Sequence, residues 1–387
     1  MAALTLAIQN GIVIAFAVLY LPLIREFGAS HAEVASVQAI VLLLGGAAGP
    51  LVGYLLDRLG ARRLVQSGAA LAAVGLIAAS RATSLPAIAL VYGLVGGLGL
   101  AALGSQVNMV IAAMWYPAAR GRAIAIADLG TGFGAFCFIT LGQALTSAWG
   151  WRATLLVWAG LLLVVVIPAN ALQRLPDDPR PSPAPGARPA HWTLAAALRA
   201  PAFWWLAATR FFAACAFPLM NTHLVAYAVG HGIPPVEAAA ALGSVSLVSL
   251  AGRLTTGWLA DRIGRAQTLT VMYVSALAGV ACLALLALTG SPAWLLGYVV
   301  FYGMAQGSSG IIASARAADV FAGPAFGTIF GWLSLSIGPG EAIGAWVGGW
   351  IYDRSGSYLP AFGFVALALA IGLGAIWRVR PALPMPR

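Results

Sequence analysis

Apolar runs of roughly twenty residues follow one another along almost the whole chain, and no other feature restricts its fold so strongly. Wound as an α-helix, a run of that length covers the ~30 Å hydrocarbon core of a bilayer. Twelve can be drawn, at 2–24, 34–56, 64–81, 86–115, 121–147, 151–172, 202–229, 237–259, 267–289, 292–317, 325–351 and 358–378. Composition agrees: 61% of the 387 residues are hydrophobic and 8% charged, against about 45–50% and 25% in soluble domains. A soluble globule of this composition would have nothing to cover its surface, so the sequence predicts an all-α polytopic membrane protein. The first run, Ala2 to Leu23, lacks a basic leading region and is too long for the core of a cleaved leader, so it is expected to be a spanning helix. Its abrupt start at Met1 leaves a longer natural N-terminus open.

The net charge of +10 does not indicate a nucleic-acid partner. All 21 basic residues are arginines, gathered in short loops between the apolar runs. With the N-terminus cytoplasmic, fifteen arginines fall in cytoplasmic segments and four in outer loops. That bias sets orientation, because basic loops stay inside. Both termini are therefore expected in the cytoplasm, the chain lying in a bacterial-type inner membrane. Cys137, Cys215 and Cys282 stand singly in apolar stretches and form no CxxC pair, so neither disulfide nor metal is expected. Gly130 to Gly134 mimics a nucleotide turn but lies inside an apolar run, and a chain without lysine has no P-loop. No cofactor and no enzyme activity are expected.

Six prolines between 176 and 189 forbid a helix there. They divide the chain into 1–172, a cytoplasmic linker 173–200 ending in a short amphipathic segment, and 201–387. The two large parts resemble each other. GYLLDRLGARR begins at Gly53 and GWLADRIGRAQ at Gly257, 204 residues later; Gly130–Ala135 aligns with Ser336–Glu341 at an offset of 206. A duplicated six-helix unit usually holds its substrate between the halves. The repeated motif supplies Gly53, Asp57, Arg58 and Arg62 in one half and Gly257, Asp261, Arg262 and Arg265 in the other. Glycines that admit a neighbouring helix, beside charges that pair at the membrane edge, suit a cytoplasmic gate. A simple basic anchor would need neither the aspartates nor the glycines.

Five ionisable residues lie well inside spans: Asp128, Arg210, His223, Arg253 and Glu341. A charge at mid-bilayer costs about 2.5–3.5 kcal/mol on insertion scales, so such groups face protein or water and have a task. Ser246, Ser249, Arg253 and Thr256 share one helix face, which reads as the wall of an aqueous cavity. Arg210 and Glu341 could neutralise each other if their helices cross closely, or serve as a second binding or coupling site. His223 lies off the Arg210 face, which Asn221 shares. Gln106, Asn108 and Tyr302 are further candidates for the pocket lining.

The two gate motifs in a chain of six plus six helices resemble the signature of the major facilitator superfamily. REFGASHAEVASVQ, HLVAYAVGHGIPPVEAAAALG, AGRLTTGWLADRIGR and WIYDRSGSYLPAF resemble its monocarboxylate porter and oxalate/formate exchanger branch. The resemblance implies two pseudo-symmetric six-helix bundles, alternating access, and Arg253 as the cationic anchor for a substrate carboxylate. Asn10-Gly11 stands where animal members carry Asp-Gly, and Ser249 where they carry an acid one turn before the arginine. The resemblance also implies that helices five and eight meet across the halves. Asp128 and Arg253, at similar depth, are then expected to pair, with a guest carboxylate competing for the guanidinium. The expected function is transport of a small organic anion, above all a monocarboxylate, with a proton or a counter-anion, by a chain able to act as a monomer. The competing readings are an exporter of drugs or other hydrophobic compounds on the same scaffold, and a sensor that binds without transporting.

Overall fold

A computed structural model describes residues 1–105, 107–108, 115, 120–172, 192–321, 323 and 325–379. The helices are α1 (Ala2–Phe27), α2 (His31–Ala47 with Gly49–Leu56, bent by 52°), α3 (Arg58–Ser80), α4 (Leu85–Ala102), α5 (120–149), α6 (151–171), α7 (Pro201–Gly230), α8 (Pro235–Ile263), α9 (Arg265–Thr289), α10 (Ala293–Phe321), α11 (326–355) and α12 (Leu359–Arg378). By length and hydropathy alone, nine of the described helices could cross a membrane, ten with the bent pair. Ile126–Ala171 is one of the nine, yet its 46 residues would run about 69 Å. It is two crossings, separated at Gly150, where φ is +80°. With the broken helix α11 included, the twelve expected spans are present.

The turns follow from sequence. Gly60 and Gly264 have nearly the same backbone, φ +75° with ψ 158° and φ +93° with ψ 160°. A side chain strains that conformation, so glycine recurs at the same place in each repeat. The start of α2 is closed by a capping box: Ser30 accepts from the Glu33 amide at 3.2 Å, and Glu33 accepts from the Ser30 amide at 2.8 Å.

Inside each half, glycine stripes bring helices into backbone contact. A Cβ at Gly134 would strike the backbone of Ala7, and one at Gly340 the backbone of Phe211. Between halves the same repeat supplies a second equivalent pair. Gly132 of α5 receives Leu250 of α8, and Gly338 of α11 lies on Gly46 of α2. Helix association in lipid relies on such close packing, since apolar side chains gain nothing by leaving lipid for one another.

The two faces of the bundle differ. The face where α1 begins and α12 ends is called here the terminal face. At the opposite face the Asp353 carboxylate of α11 accepts from the His31 amide at 2.9 Å and the Ala32 amide at 2.8 Å. The Tyr20 ring stacks edge-on against His223, ring centres 5.1 Å apart, and its hydroxyl donates to the His31 carbonyl at 2.8 Å. At the terminal face, Gly53 and Gly257 have open space where a Cβ would stand. Among the described residues, the close approach expected of these two glycines is thus not made in this conformer, because no neighbouring helix reaches them there. The linker lies outside the described residues up to 191. After it, the short helix Leu194–Arg199 is capped by Thr193 and anchored by Trp192 against Phe321, ring centres 5.0 Å apart.

Candidate functional site

The site grows from two glycine contacts on α8. Gly252 lies on the Met304 backbone of α10, and Leu250 and the Ser246 carbonyl lie on Gly132 of α5. Arg253, next in the chain, is therefore held between α5 and α10. On the α10 side the helix is broken: Gln306 is extended, with ψ 124°, and Gly307 has φ +91°. A side chain at Gly307 would collide with the Arg253 guanidinium. On the α5 side, Asp128 stands one turn before Gly132 and faces Arg253 across the seam.

Arg253 Nη1 and Asp128 Oδ2 form a direct ion pair between the halves. Nη1 also donates to Thr131 Oγ1 at 3.3 Å, and Thr131 Oγ1 donates to the Asp128 carbonyl at 2.7 Å. Asn10 of α1 donates to the Thr131 carbonyl at 3.0 Å and ties the third helix to the pair. The side chains remain 27% and 25% exposed, so solvent reaches both. Arg253 Nε is buried without a hydrogen-bond partner among the described residues. A guanidinium presents planar pairs of donors that match a carboxylate; here Asp128 engages Nη1, and the Nε donor is left unclaimed.

The remaining candidates divide sharply. Ser246, Ser249 and Thr256 are all buried, and Ser249 donates to its own helix at Ser246. The expected polar wall is thus packed shut against α5 and α10, and only Arg253 on that face keeps access. Tyr302 is fully buried, stacked on Tyr298 with ring centres 4.8 Å apart. It belongs to the core of the second half rather than to a pocket, because Gly279 of α9 packs on its Cβ and backbone and Phe217 of α7 on its ring. Asn108 is also fully buried and donates to the Leu103 and Gly104 carbonyls of its own segment, at 2.7 and 3.3 Å. Gln106 lies outside the described residues. Asn221 is half-buried, with Oδ1 unpartnered.

Arg210 and Glu341 do not pair. Arg210 reaches Ser314 of α10 at 3.4 Å and lies 4.9 Å over the Phe330 ring of α11. Glu341 follows Gly340, which packs on the backbone of Phe211, so the two charges stand at similar depth, but the Arg210 side chain extends toward Ser314 and Phe330 instead. His223 is not in an ion pair either. Nδ1 lies 3.3 Å from the Tyr358 hydroxyl and Nε2 2.8 Å from the Ala345 carbonyl, so both ring nitrogens are engaged.

Of the gate motif, Arg58 stacks on Tyr54 at 4.7 Å and Arg262 on Trp258 at 4.0 Å, the same four-residue spacing in both repeats. Arg265 pairs with Asp319 of α10 at 2.7 Å, within its own half. Neither Arg62 nor Asp261 makes an ion pair among the described residues. The Asp57 side chain lies outside the described set. Sequence reasoning missed Thr131, Asn10 and Asp353. Thr131 had a signal, being one turn from Asp128; Asp353 had little, since its partners are backbone amides.

The chain is 28% identical over 380 residues to monocarboxylate transporter 13 of Bos taurus, covering 96% of this chain and 85% of that protein. It is 32% identical over 256 residues to monocarboxylate transporter 3 of Rattus norvegicus, covering 65% of this chain and 52% of that protein. In fold it is similar to the inward-open structure of the xylose transporter XylE from E. coli, with a TM-score of 0.72, 15% identity, and coverage of 98% of this chain and 95% of that one. Residues 1–321 match the family described as Major Facilitator Superfamily. On that match and on its twelve-helix fold, the chain belongs to the Major Facilitator Superfamily of membrane transporters.

Proposed function

We propose that the chain is a secondary transporter of a small organic anion, above all a monocarboxylate, working by alternating access with a proton or a counter-anion. The observation that carries this reading is the Arg253–Asp128 pair, an ion pair about a quarter exposed and made between the two halves of the molecule. A guest carboxylate engages the free guanidinium edge and displaces Asp128, which then takes a proton or is balanced by the returning anion. Because the pair joins α5 to α8, exchanging Asp128 for a guest also changes how the halves are held together. The named relatives that are monocarboxylate transporters support a carboxylate as the guest. The arginine bias orients the terminal face to the cytoplasm of a bacterial-type inner membrane. The separated motif glycines then describe the cytoplasmic end of the gate, with Asp353 closing the outer end.

The test is uptake of labelled acetate or lactate into proteoliposomes by the purified protein. Wild type is expected to accumulate one of them, and Arg253→Gln to lose that uptake while keeping its fold. Undiminished uptake in Arg253→Gln would falsify the reading. A drug exporter would instead retain tolerance and efflux of hydrophobic compounds in that variant.

A further inference from the structure

The second membrane-embedded arginine is left without a carboxylate. Among the described residues, no acidic group lies within ion-pair reach of Arg210. Its Nε is buried without a hydrogen-bond partner, and its one polar side-chain contact is the 3.4 Å approach to Ser314. Phe330 covers one face of the guanidinium at 4.9 Å. A cation so placed inside a membrane protein ordinarily marks a ligand or ion path.

Helix α10 connects this cation to Arg253. Gly307 touches Arg253 and Ser314 touches Arg210. Gly310 and Ser314 stand one turn apart on one face of the helix that starts at Ser308, directly after the break at Gly307. The two contacts are seven residues apart, about 10 Å along the axis. Between them, a Cβ at Gly310 would meet nothing within 4 Å. The opposite face of this segment is packed, with Ser308 and Ile312 buried. The open strip of α10 therefore runs from one arginine to the other, with vacant space at its middle.

Building on the carboxylate reading of Arg253, we infer that Arg210, Ser314 and Phe330 form a second carboxylate subsite, nearer the terminal face than Arg253. Arg210 supplies the charge, Ser314 orients the fork, and Phe330 shields one side of the guanidinium from water. The carboxylate that enters belongs either to the far end of a dicarboxylate held at both arginines, or to a second monocarboxylate on its way to or from Arg253.

Isothermal titration of the purified full chain with acetate, malonate and succinate at fixed ionic strength tests this, in wild type, Arg210→Gln, Arg253→Gln and Gly310→Leu. Losing one charge-assisted contact is expected to weaken binding about tenfold to a hundredfold. A loss in Arg210→Gln confined to malonate or succinate supports a single guest bridging both cations. A fall in acetate stoichiometry from two to one supports separate guests. Gly310→Leu fills the vacant strip without removing charge, and is expected to reproduce the defect if Arg210→Gln fails to fold. Wild-type affinity and stoichiometry for all three anions in folded Arg210→Gln, or in Gly310→Leu, would overturn the subsite. If Arg210→Gln is unaffected while Arg253→Gln loses binding, the primary site stands and only the second falls. Normal binding in Arg253→Gln with loss in Arg210→Gln removes the primary site and keeps this one.

Discussion

Two aspartates hold the halves of this molecule to each other, and they do it by different chemistry. Asp128 reaches across the seam to a guanidinium. Asp353 reaches across to two backbone amides in the first turn of α2. The first partner is a side-chain charge, which under the proposed reading a guest carboxylate claims. The second is fixed in the main chain, and the amides and dipole of a helix start favour an anion without presenting a side chain to compete for. One contact is thus suited to exchange with a guest, and the other to closure that a guest does not disturb.

The largest effect that separates the two contacts is expected at Arg253. Arg253→Gln should lower carboxylate affinity about a hundredfold, read by titration, and leave amide exchange of the segment 30–36 unchanged. Next comes Asp128→Asn, expected to keep binding, because the guanidinium is released rather than removed. Proton-driven accumulation in proteoliposomes should fall about tenfold, the free energy of one lost charge-assisted contact. Accumulation intact in that variant would assign coupling elsewhere, with Glu341 the remaining acid inside a span. Asp353→Asn acts on the other contact alone. Hydrogen exchange of the His31 and Ala32 amides should speed several-fold to about tenfold, with carboxylate affinity within twofold of wild type. Unchanged exchange would show that Asp353 does not hold the outer end. The smallest effect is expected for Tyr54→Ala or Trp258→Ala, which remove the stacking under Arg58 and Arg262. Each should change stability by about 0.5 kcal/mol or less in a thermal melt, as exposed cation–π contacts do.

Much of the fold could be read from the chain because hydrophobic length and helix termini are local properties. The run 237–259 was expected where Pro235–Ile263 is found, and 267–289 where Arg265–Thr289 is found. The breaks inside helices, at Gln306 and Ser336, were not read, although both left a trace: Pro339 cannot donate to the Leu335 carbonyl, and Gly307 follows Gln306. For the site, the depths of Asp128 and Arg253 along their helices could be counted, whereas the azimuth and neighbours of Ser249 and Tyr302 could not. Periodicity tells which residues share a face; it does not tell whether a neighbouring helix fills the space in front of it. Glycines at 132, 252 and 279 bring α5, α10 and α9 with their neighbours so close that those polar groups are sealed in. The Arg210–Glu341 pairing failed for a related reason: Gly340 packs on Phe211 and sets the two residues at one level, but the Arg210 side chain is drawn toward Ser314 and Phe330.

The capping of α2 has a thermodynamic corollary. In the proposed alternating-access cycle Asp353 withdraws as the halves rock, and water at the membrane edge replaces each bond lost by the carboxylate and the His31 and Ala32 amides. Trading protein–protein for protein–water hydrogen bonds leaves a net difference of about 1 kcal/mol per bond. A clasp made of main-chain amides thus biases the resting posture only gently, keeping the two postures near enough in free energy for thermal motion to carry the molecule through its cycle.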